Sequence, residues 1–430
     1  MAAVASNADL VERIAGFVAC PFGLRTLLAL LPYESLSLPY QSLWTLSTAV
    51  PLCHLWPQLR VAVLTSPGHA VAAAELMALR PVVRIDTSPI PRFPFLRHAS
   101  TRVALRSTAA LSTVAHMGSH GGIVELSLAL RTDATLHDIA LARRVLASFV
   151  HLRVLELSWL TSQTGVVLSP LLATIARLPR LADLTIACPG VHGLPPFAVT
   201  FLVTWLGTGR AEAVRLRHID LGDVACEAVA MALHASRSLR ILDLDDTNGI
   251  AFDFMQTPLP RTLQSLCLTK GFAIVGTFLP VALRQSHLET LHFDATATPG
   301  LLDTLRTLPT LHRLSHLRLS LHQLDDATAD CLSQILPRLL SLVALELEWM
   351  EEAAAVPAVH RCPRLQRLAL RGPGNGAAAW VCPPTLRHLC LRGADRASVA
   401  TDPALLVCCV PPTRRCAFFQ PCGRASCLAT

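Results

Sequence analysis

One spacing pattern constrains this chain more than any other feature: three apolar residues set as L-x-x-L-x-L. It occurs at Leu152-Leu155-Leu157, Leu181-Leu184-Ile186, Leu216-Ile219-Leu221, Leu239-Leu242-Leu244 and Leu263-Leu266-Leu268. It continues at Leu288-Leu291-Phe293, Leu314-Leu317-Leu319, Leu342-Leu345-Leu347, Leu365-Leu368-Leu370 and Leu386-Leu389-Leu391. The last two apolar residues of each set are two apart, so on an extended chain they point to one face, and the first sits at the bend leading in. Three buried side chains contribute about 2 kcal/mol each. That is well short of what ordering some two dozen residues costs. No unit can stand alone, and neighbours must stack to share an apolar core.

Successive first leucines stand 29, 35, 23, 24, 25, 26, 28, 23 and 21 residues apart. That is the period of leucine-rich repeats, in which a short strand alternates with a return segment. The expected fold is therefore α/β: a leucine-rich-repeat solenoid shaped as a horseshoe, with a parallel concave sheet and a helical or irregular convex side. An apolar fraction of 52% and a mean hydropathy of +0.46 raise the question of a membrane. The best candidate span, Ile14 to Leu31, holds Pro21, Gly23 and Arg25, and no stretch reaches the ~18 uncharged apolar residues that crossing requires. The opening MAAVASNADLVER has no basic run and carries Asp9 and Glu12, which does not fit a secretory signal. Fourteen cysteines scattered over 430 residues do not make a disulfide framework, and a cytoplasmic or nuclear location is expected. The net charge of +7 rests almost wholly on arginine, with Lys270 the single lysine. Codon bias accounts for that; avoidance of a ubiquitin acceptor is the other reading. No basic run interleaved with aromatics points to nucleic acid.

Along the chain, residues 1–58 lack the repeat pattern. Leu10, Ile14, Phe17 and Val18 follow helical spacing over 8–19, with Ser6 or Asn7 as cap and Pro21 and Gly23 as the stop. Further helices are expected from about Leu24 to Leu31 and from Tyr40 to Val50. Residues 59–118 form degenerate repeats or a linker: Leu59 to Leu64, Val82 to Ile85 and Val103 to Leu105 fit weak strands, with an alanine-rich helix near 70–79 and a loop marked by Pro89, Pro91 and Pro94. The repeat array occupies 119–393, with Ile123-Leu126-Leu128 as its first clear unit. Residues 394–430 form a cysteine-rich tail and cap, with a last strand expected within Pro403 to Val407.

The repeats are of two kinds. Those covering 136–152, 221–239 and 324–342 carry helical return segments, the middle one through Val224, Val229, Met231 and Leu233, and Asp138, Asp223 and Asp325 are placed to cap them. They resemble the ribonuclease-inhibitor type of repeat. Units between 245 and 312, broken by Pro258, Pro260, Pro280, Pro299 and Pro309, should return through turns and short helices. Catalytic signatures are absent: there is no G-x-S-x-G, H-E-x-x-H or G-K-[ST]. Gly372 to Gly376 is a lone turn, and Asp245-Asp246 and Asp325-Asp326 fall at strand ends and helix starts, where caps belong. His218, His292, His316 and His388 stand singly, and Cys408, Cys409, Cys416, Cys422 and Cys427 lack the spacing that zinc requires. Neither a metal nor a cofactor is expected, and the chain reads as a non-enzyme.

Function in such an array belongs to residues flanking the buried leucines, which face a protein partner. They are Glu156, Asp220, Asp243, Asp245, His292, Asp294, Arg318, Glu346, Glu348, Arg367, Arg371 and Arg392, with Trp159 and Trp349 expected as exposed anchors. At the other end, Asp9-Leu10-Val11-x-x-Ile14-x-x-Phe17-Val18 resembles the first helix of an F-box, and Cys53-x-x-Trp56 resembles the motif that closes one. Ser6-Asn7 replaces the usual Leu-Pro opening, and the middle is longer than the family shows. An F-box followed by leucine-rich repeats is the architecture of F-box/leucine-rich-repeat adaptors. The resemblance implies that Leu10, Ile14, Phe17 and Val18 divide between bundle core and docking surface for the linker protein of a cullin-RING ubiquitin ligase, while the repeats hold a target. The other reading is a repeat scaffold or inhibitor of the ribonuclease-inhibitor type, with the N-terminal helices only sealing the core.

Overall fold

The computed structural model describes residues 15, 18, 21–64, 66–79, 81–85, 101–105, 123–130, 135–159, 169–188, 196–219, 221–270, 276–295, 300–350, 358–372, 383–392 and 406–409. The chain forms two compact units, Met1–Trp205 and Leu206–Thr430. The division falls inside the stretch that the repeat period treats as one array.

In the first unit the strands are β1 (Gln58–Arg60), β2 (Val82–Ile85), β3 (Thr101–Leu105), β4 (Ile123–Leu130), β5 (Val154–Trp159) and β6 (Asp183–Ala187). Each pairs in parallel with the next, so that Leu59, Val83, Val103, Leu126, Leu155 and Leu184 stand in one row. All six are buried. The parallel ladder thus already runs through the degenerate segment, with valine taking the place of leucine at 83 and 103.

The second unit holds β7 (Ala213–Arg217), β8 (Ile241–Asp245), β9 (Ser265–Thr269), β10 (Thr290–Ala295), β11 (His316–Leu321), β12 (Ala344–Trp349), β13 (Arg367–Arg371), β14 (His388–Arg392) and β15 (Leu406–Cys409). They too are parallel and in sequence order. Val214, Leu242, Leu266, Leu291, Leu317, Leu345, Leu368, Leu389 and Val407 form the corresponding row. Parallel sheets covered on both faces read as continuous apolar runs. Here burial alternates along β8, β9 and β10, so one face meets the core and the other carries polar side chains. Each unit is an α/β leucine-rich-repeat solenoid.

One repeat is phased differently from the expectation. The strand is Ala213–Arg217, and its core residues are Ala211, Val214 and Leu216. Leu216 is therefore the third residue of that unit, not the first, and Ile219 and Leu221 lie beyond the strand on the way to the next helix. Alanine and valine at the first two positions hid the phase. With Ala211 as the bend residue, the irregular 35 and 23 become 30 and 28 (181 to 211, 211 to 239).

The helical return segments are Leu136–Ala147, Asp223–Ala235 and Asp326–Ile335. Their three aspartates act in three ways. Asp138 completes a capping box with Thr135, accepting from the Thr135 backbone N–H at 2.8 Å. Asp325 is itself the N-cap and accepts from the Thr328 backbone N–H at 2.8 Å. Asp223 lies in the first turn after Gly222, makes no side-chain cap, and contributes through the helix dipole instead. The buried stripe of Asp223–Ala235 is Cys226, Val229, Ala230 and Leu233. Val224 and Met231 point outward, 83% and 66% exposed, because the helical period carries them off the stripe. Between 245 and 312 the return segments are short, as expected: Asn248–Met255, Leu279–Leu283 and Leu301–Thr307. Gly300, the N-cap of the last, has φ +101°, and a Cβ there would lie 2.6 Å from the carbonyl oxygen of Gly276. Two further helices, Ser169–Ala176 and Pro196–Gly207, bury Leu171, Leu172, Ile175 and Trp205.

At the N-terminal end, helices run over Pro21–Leu28 and Leu38–Ala49. Each has a proline in its first turn, where a missing N–H costs nothing; Pro21 therefore begins a helix as well as standing after the expected one. Leu24, Leu28, Leu43, Leu46 and Leu55 are buried. Leu38–Ala49 packs against Pro67–Leu76. No helix among the described residues is long and apolar enough to cross a membrane, and the described cysteines Cys53, Cys188, Cys226, Cys267, Cys331, Cys362 and Cys390 are free thiols.

Candidate partner-binding face

The polar face of the second unit is built by register. Strands lie about 4.8 Å apart, and parallel pairing without slippage aligns the outward residues in rows. By backbone register one row runs Arg215, Asp243, Cys267, His292, Arg318, Glu346, Ala369 and Cys390, of which Ala369 and Cys390 are buried, and the next runs Arg217, Asp245, Thr269, Asp294, Ser320, Glu348 and Arg371, with the Arg392 backbone after it. Seven intervals span roughly 34 Å.

The charges on this face are largely paired with one another across strands. Arg217 Nη2 meets Asp243 Oδ2 at 3.0 Å, and Lys270 Nζ lies 4.0 Å from Asp245 Oδ1. Arg318 reaches both Glu346 (3.6 Å) and Glu348 (3.3 Å). Arg371 contacts the same two carboxylates at 2.8 and 3.8 Å. Glu346 and Arg371 are each only 4% exposed, so they hold the face together from beneath and offer little surface. The 2.8 Å approach is an ion contact with no aligned hydrogen bond to Glu346 Oε1. Beside them, Arg367 Nη2 lies 2.8 Å from His316 Nε2. Burial and then the Arg367 charge lower the His316 pKa, which suits a neutral ring accepting that bond.

Cys267, His292 and Asp294 form a string. Cys267 Sγ is 3.0 Å from His292 Nδ1, and His292 Nε2 is 3.7 Å from Asp294 Oδ1. The order thiol, imidazole, carboxylate is that of a cysteine nucleophile with its base. The electrostatics oppose that role. Burial pushes the Cys267 thiol well up, and Asp243 pushes it further, so the thiol keeps its proton where a nucleophile must lose it. Burial pushes the Asp294 carboxyl up, but the neighbouring His292 ring, Ser320 and the Lys270 backbone N–H more than offset this, and it sits below the usual range. Among the described residues no group of three or more His, Cys, Asp or Glu side chains could hold a metal ion.

The residues expected on the face are placed as follows. Asp243, Asp245, His292, Asp294, Arg318, Glu348 and Arg367 lie half-buried on the polar side of their strands, and Glu156 does so on β5 in the first unit. Trp349 does not belong with them. It shares the side of Leu345 and Leu347, pairs with Leu321, and is 2% exposed. Its ring packs on Gly372, where a Cβ would come within 2.2 Å of Nε1. A residue two positions after a buried leucine is itself buried. Trp159 pairs with Leu130 at the end of β5 and Arg392 closes β14, but both side chains, like the whole of Asp220, lie outside the described residues. The phase error at Leu216 concealed Arg215 and Arg217; admitting alanine and valine at the leucine positions would have found them.

In the N-terminal module, Leu10, Ile14 and Phe17 lie outside the described residues. The backbone carbonyl of Val18 accepts from Trp56 Nε1 at 2.7 Å. Trp56 is 6% exposed, and Cys53 is exposed. Trp56, Leu59 and Val61 have the repeat spacing and are all buried, so Trp56 also occupies the bend position of the first strand.

No family model and no curated protein matches the chain. Among solved structures, the chain is similar to one from the crystal structure of the Rad7 and Elc1 complex in yeast. Identity is 16%, coverage 73% of this chain and 81% of that chain, and the TM-score 0.49. A likeness at this level carries no functional argument.

Proposed function

We propose that this is a non-catalytic protein-binding protein. We further propose that it is a substrate-recognition adaptor of the F-box type in a cullin-RING ubiquitin ligase, holding a target protein on the strand face. The observation that carries the first part is the pair of in-register polar rows. They give the second unit an extended polar surface of the kind that repeat proteins offer to a partner, and the internal ion pairs preorganise the side chains at little further entropic cost. The half-buried Cys267 thiol, whose pKa its surroundings push well up, supports a binding role over nucleophilic chemistry. The second part rests on the F-box-like spacing of Leu10, Ile14, Phe17, Val18, Cys53 and Trp56, and it carries with it a location in cytoplasm or nucleus.

A specific observation favours the scaffold reading. Leu38–Ala49 packs on Pro67–Leu76, and Trp56 fills a repeat bend position, as a sealing cap would. The two readings part on binding to the purified linker protein of the ligase. The adaptor reading expects a stable complex with the full chain, abolished by Ile14→Asp or Phe17→Asp while the circular-dichroism spectrum is kept. Failure of the unaltered chain to bind leaves the scaffold.

A further inference from the structure

A cleft of about 400 Å³ opens in the second unit at the N-terminal edge of its sheet, away from the strand face. The residue before each strand is locked by its neighbours: Arg240 N–H donates to Glu212 O, Gln264 N–H to Arg240 O, and Glu289 N–H to Gln264 O, each at 2.8 Å. This main-chain ladder sets consecutive turns side by side, and the Ser238 hydroxyl, donating to Ala211 O at 3.0 Å, fixes the turn between Arg237 and Arg240. Arg237, Arg240, Arg261, Arg313 and His287 line the cleft, and Glu212 is its one carboxylate.

These arginines differ from those of the strand face. Arg217, Arg318 and Arg371 are each matched to a carboxylate. Among the described residues, none of the four cleft arginines shares an ion pair, and all are exposed. Like charges brought together by a rigid backbone repel one another, and a ligand carrying several negative charges would relieve that repulsion. A guanidinium presents paired N–H donors that fit the oxygens of a phosphoryl group. The volume lies within the small-molecule range. The remaining lining, Ser238, Thr262 and Gln264, is hydroxyl and amide, with no Phe, Tyr or Trp ring on which a nucleobase could stack. We infer that this cleft binds a compact small molecule bearing two or more phosphoryl groups and no nucleobase.

Calorimetric titration of the full chain with inorganic tripolyphosphate at about 0.15 M salt, where long-range surface attraction is screened, tests this. One site is expected, with a Kd of about 10 μM or tighter and a rise in melting temperature with ligand concentration. Arg240→Glu/Arg261→Glu should weaken it by about 100-fold or more, Glu212→Gln should tighten it, and Arg143→Glu, on helix Leu136–Ala147, should leave it unchanged. The unliganded melting temperature of each variant shows that folding is kept. The inference is overturned by no binding at about 1 mM, by equal loss with Arg143→Glu, by full retention in the double variant, or by ATP binding about tenfold more tightly than tripolyphosphate.

Discussion

Glu346→Gln removes one negative charge from the buried centre of the strand face while keeping its volume. Glu346 and Arg371 are each 4% exposed and 2.8 Å apart, with Arg318 at 3.6 Å. Removing one partner of a buried pair costs about 3–5 kcal/mol, because the other charge is left without compensation. Two features place the cost at the low end. Glu348 stays 3.8 Å from Arg371 and 3.3 Å from Arg318, and the 2.8 Å contact lacks good hydrogen-bond alignment. The expected loss is about 3 kcal/mol. Glu346→Leu/Arg371→Met, which leaves neither charge behind, should cost less than Glu346→Gln. Long repeat arrays need not unfold in one step, so urea titration should be read together with amide exchange at Leu345 to Leu347 and Leu368 to Leu370. A Glu346→Gln loss under about 0.5 kcal/mol, or a double variant less stable than the single one, would refute the account of a desolvated pair.

Leu291→Ala, at a fully buried position in row with Leu266 and Leu317, should lose about 2–5 kcal/mol in urea denaturation, whereas Val224→Asp at an 83% exposed site should stay within about 0.5 kcal/mol. Gly372→Ala should cost about 1–3 kcal/mol through overpacking and alter tryptophan emission, since the new methyl would press on the buried Trp349 ring. Asp325→Ala should cost about 1 kcal/mol by loss of the cap. Hydrogen bonding to Thr328 lowers the Asp325 carboxyl pKa. Its contribution is therefore fully present above an unfolded value of about 3.9 and fades as pH falls through the lower folded value; thermal melts of wild type and variant should converge there.

How much of this was legible depended on which physical cue each residue carried. The leucine row from 239 onward announced itself, because leucine at fixed spacing is both the signal and the core. At β7 the same geometry is met by Ala211 and Val214, so the leucine spacing alone sets that unit five residues late, at Leu216 in place of Ala211. Trp349 could have been placed by alternation alone, since 345, 347 and 349 share one side; its size invited a role as anchor, and parity decided otherwise. Val224 and Met231 show the converse, apolar residues that the helical period turns to solvent. Pairing was beyond reach: that Glu346 would be held between Arg318 and Arg371 depends on which strand lies beside which, and on register. The edge arginines were visible only as composition until the backbone ladder set them around one cleft.

The cross-strand pairing has a consequence for how such a chain can change. If the β11 repeat were excised whole, the leucine rows would close up without a gap, yet Asp294, which now faces Ser320, would come to lie against Glu348. Two carboxylates opposed across adjacent strands repel. The rungs are interchangeable on their oily side and individually addressed on their charged side, so the order of repeats is written in electrostatics and cannot be reshuffled freely.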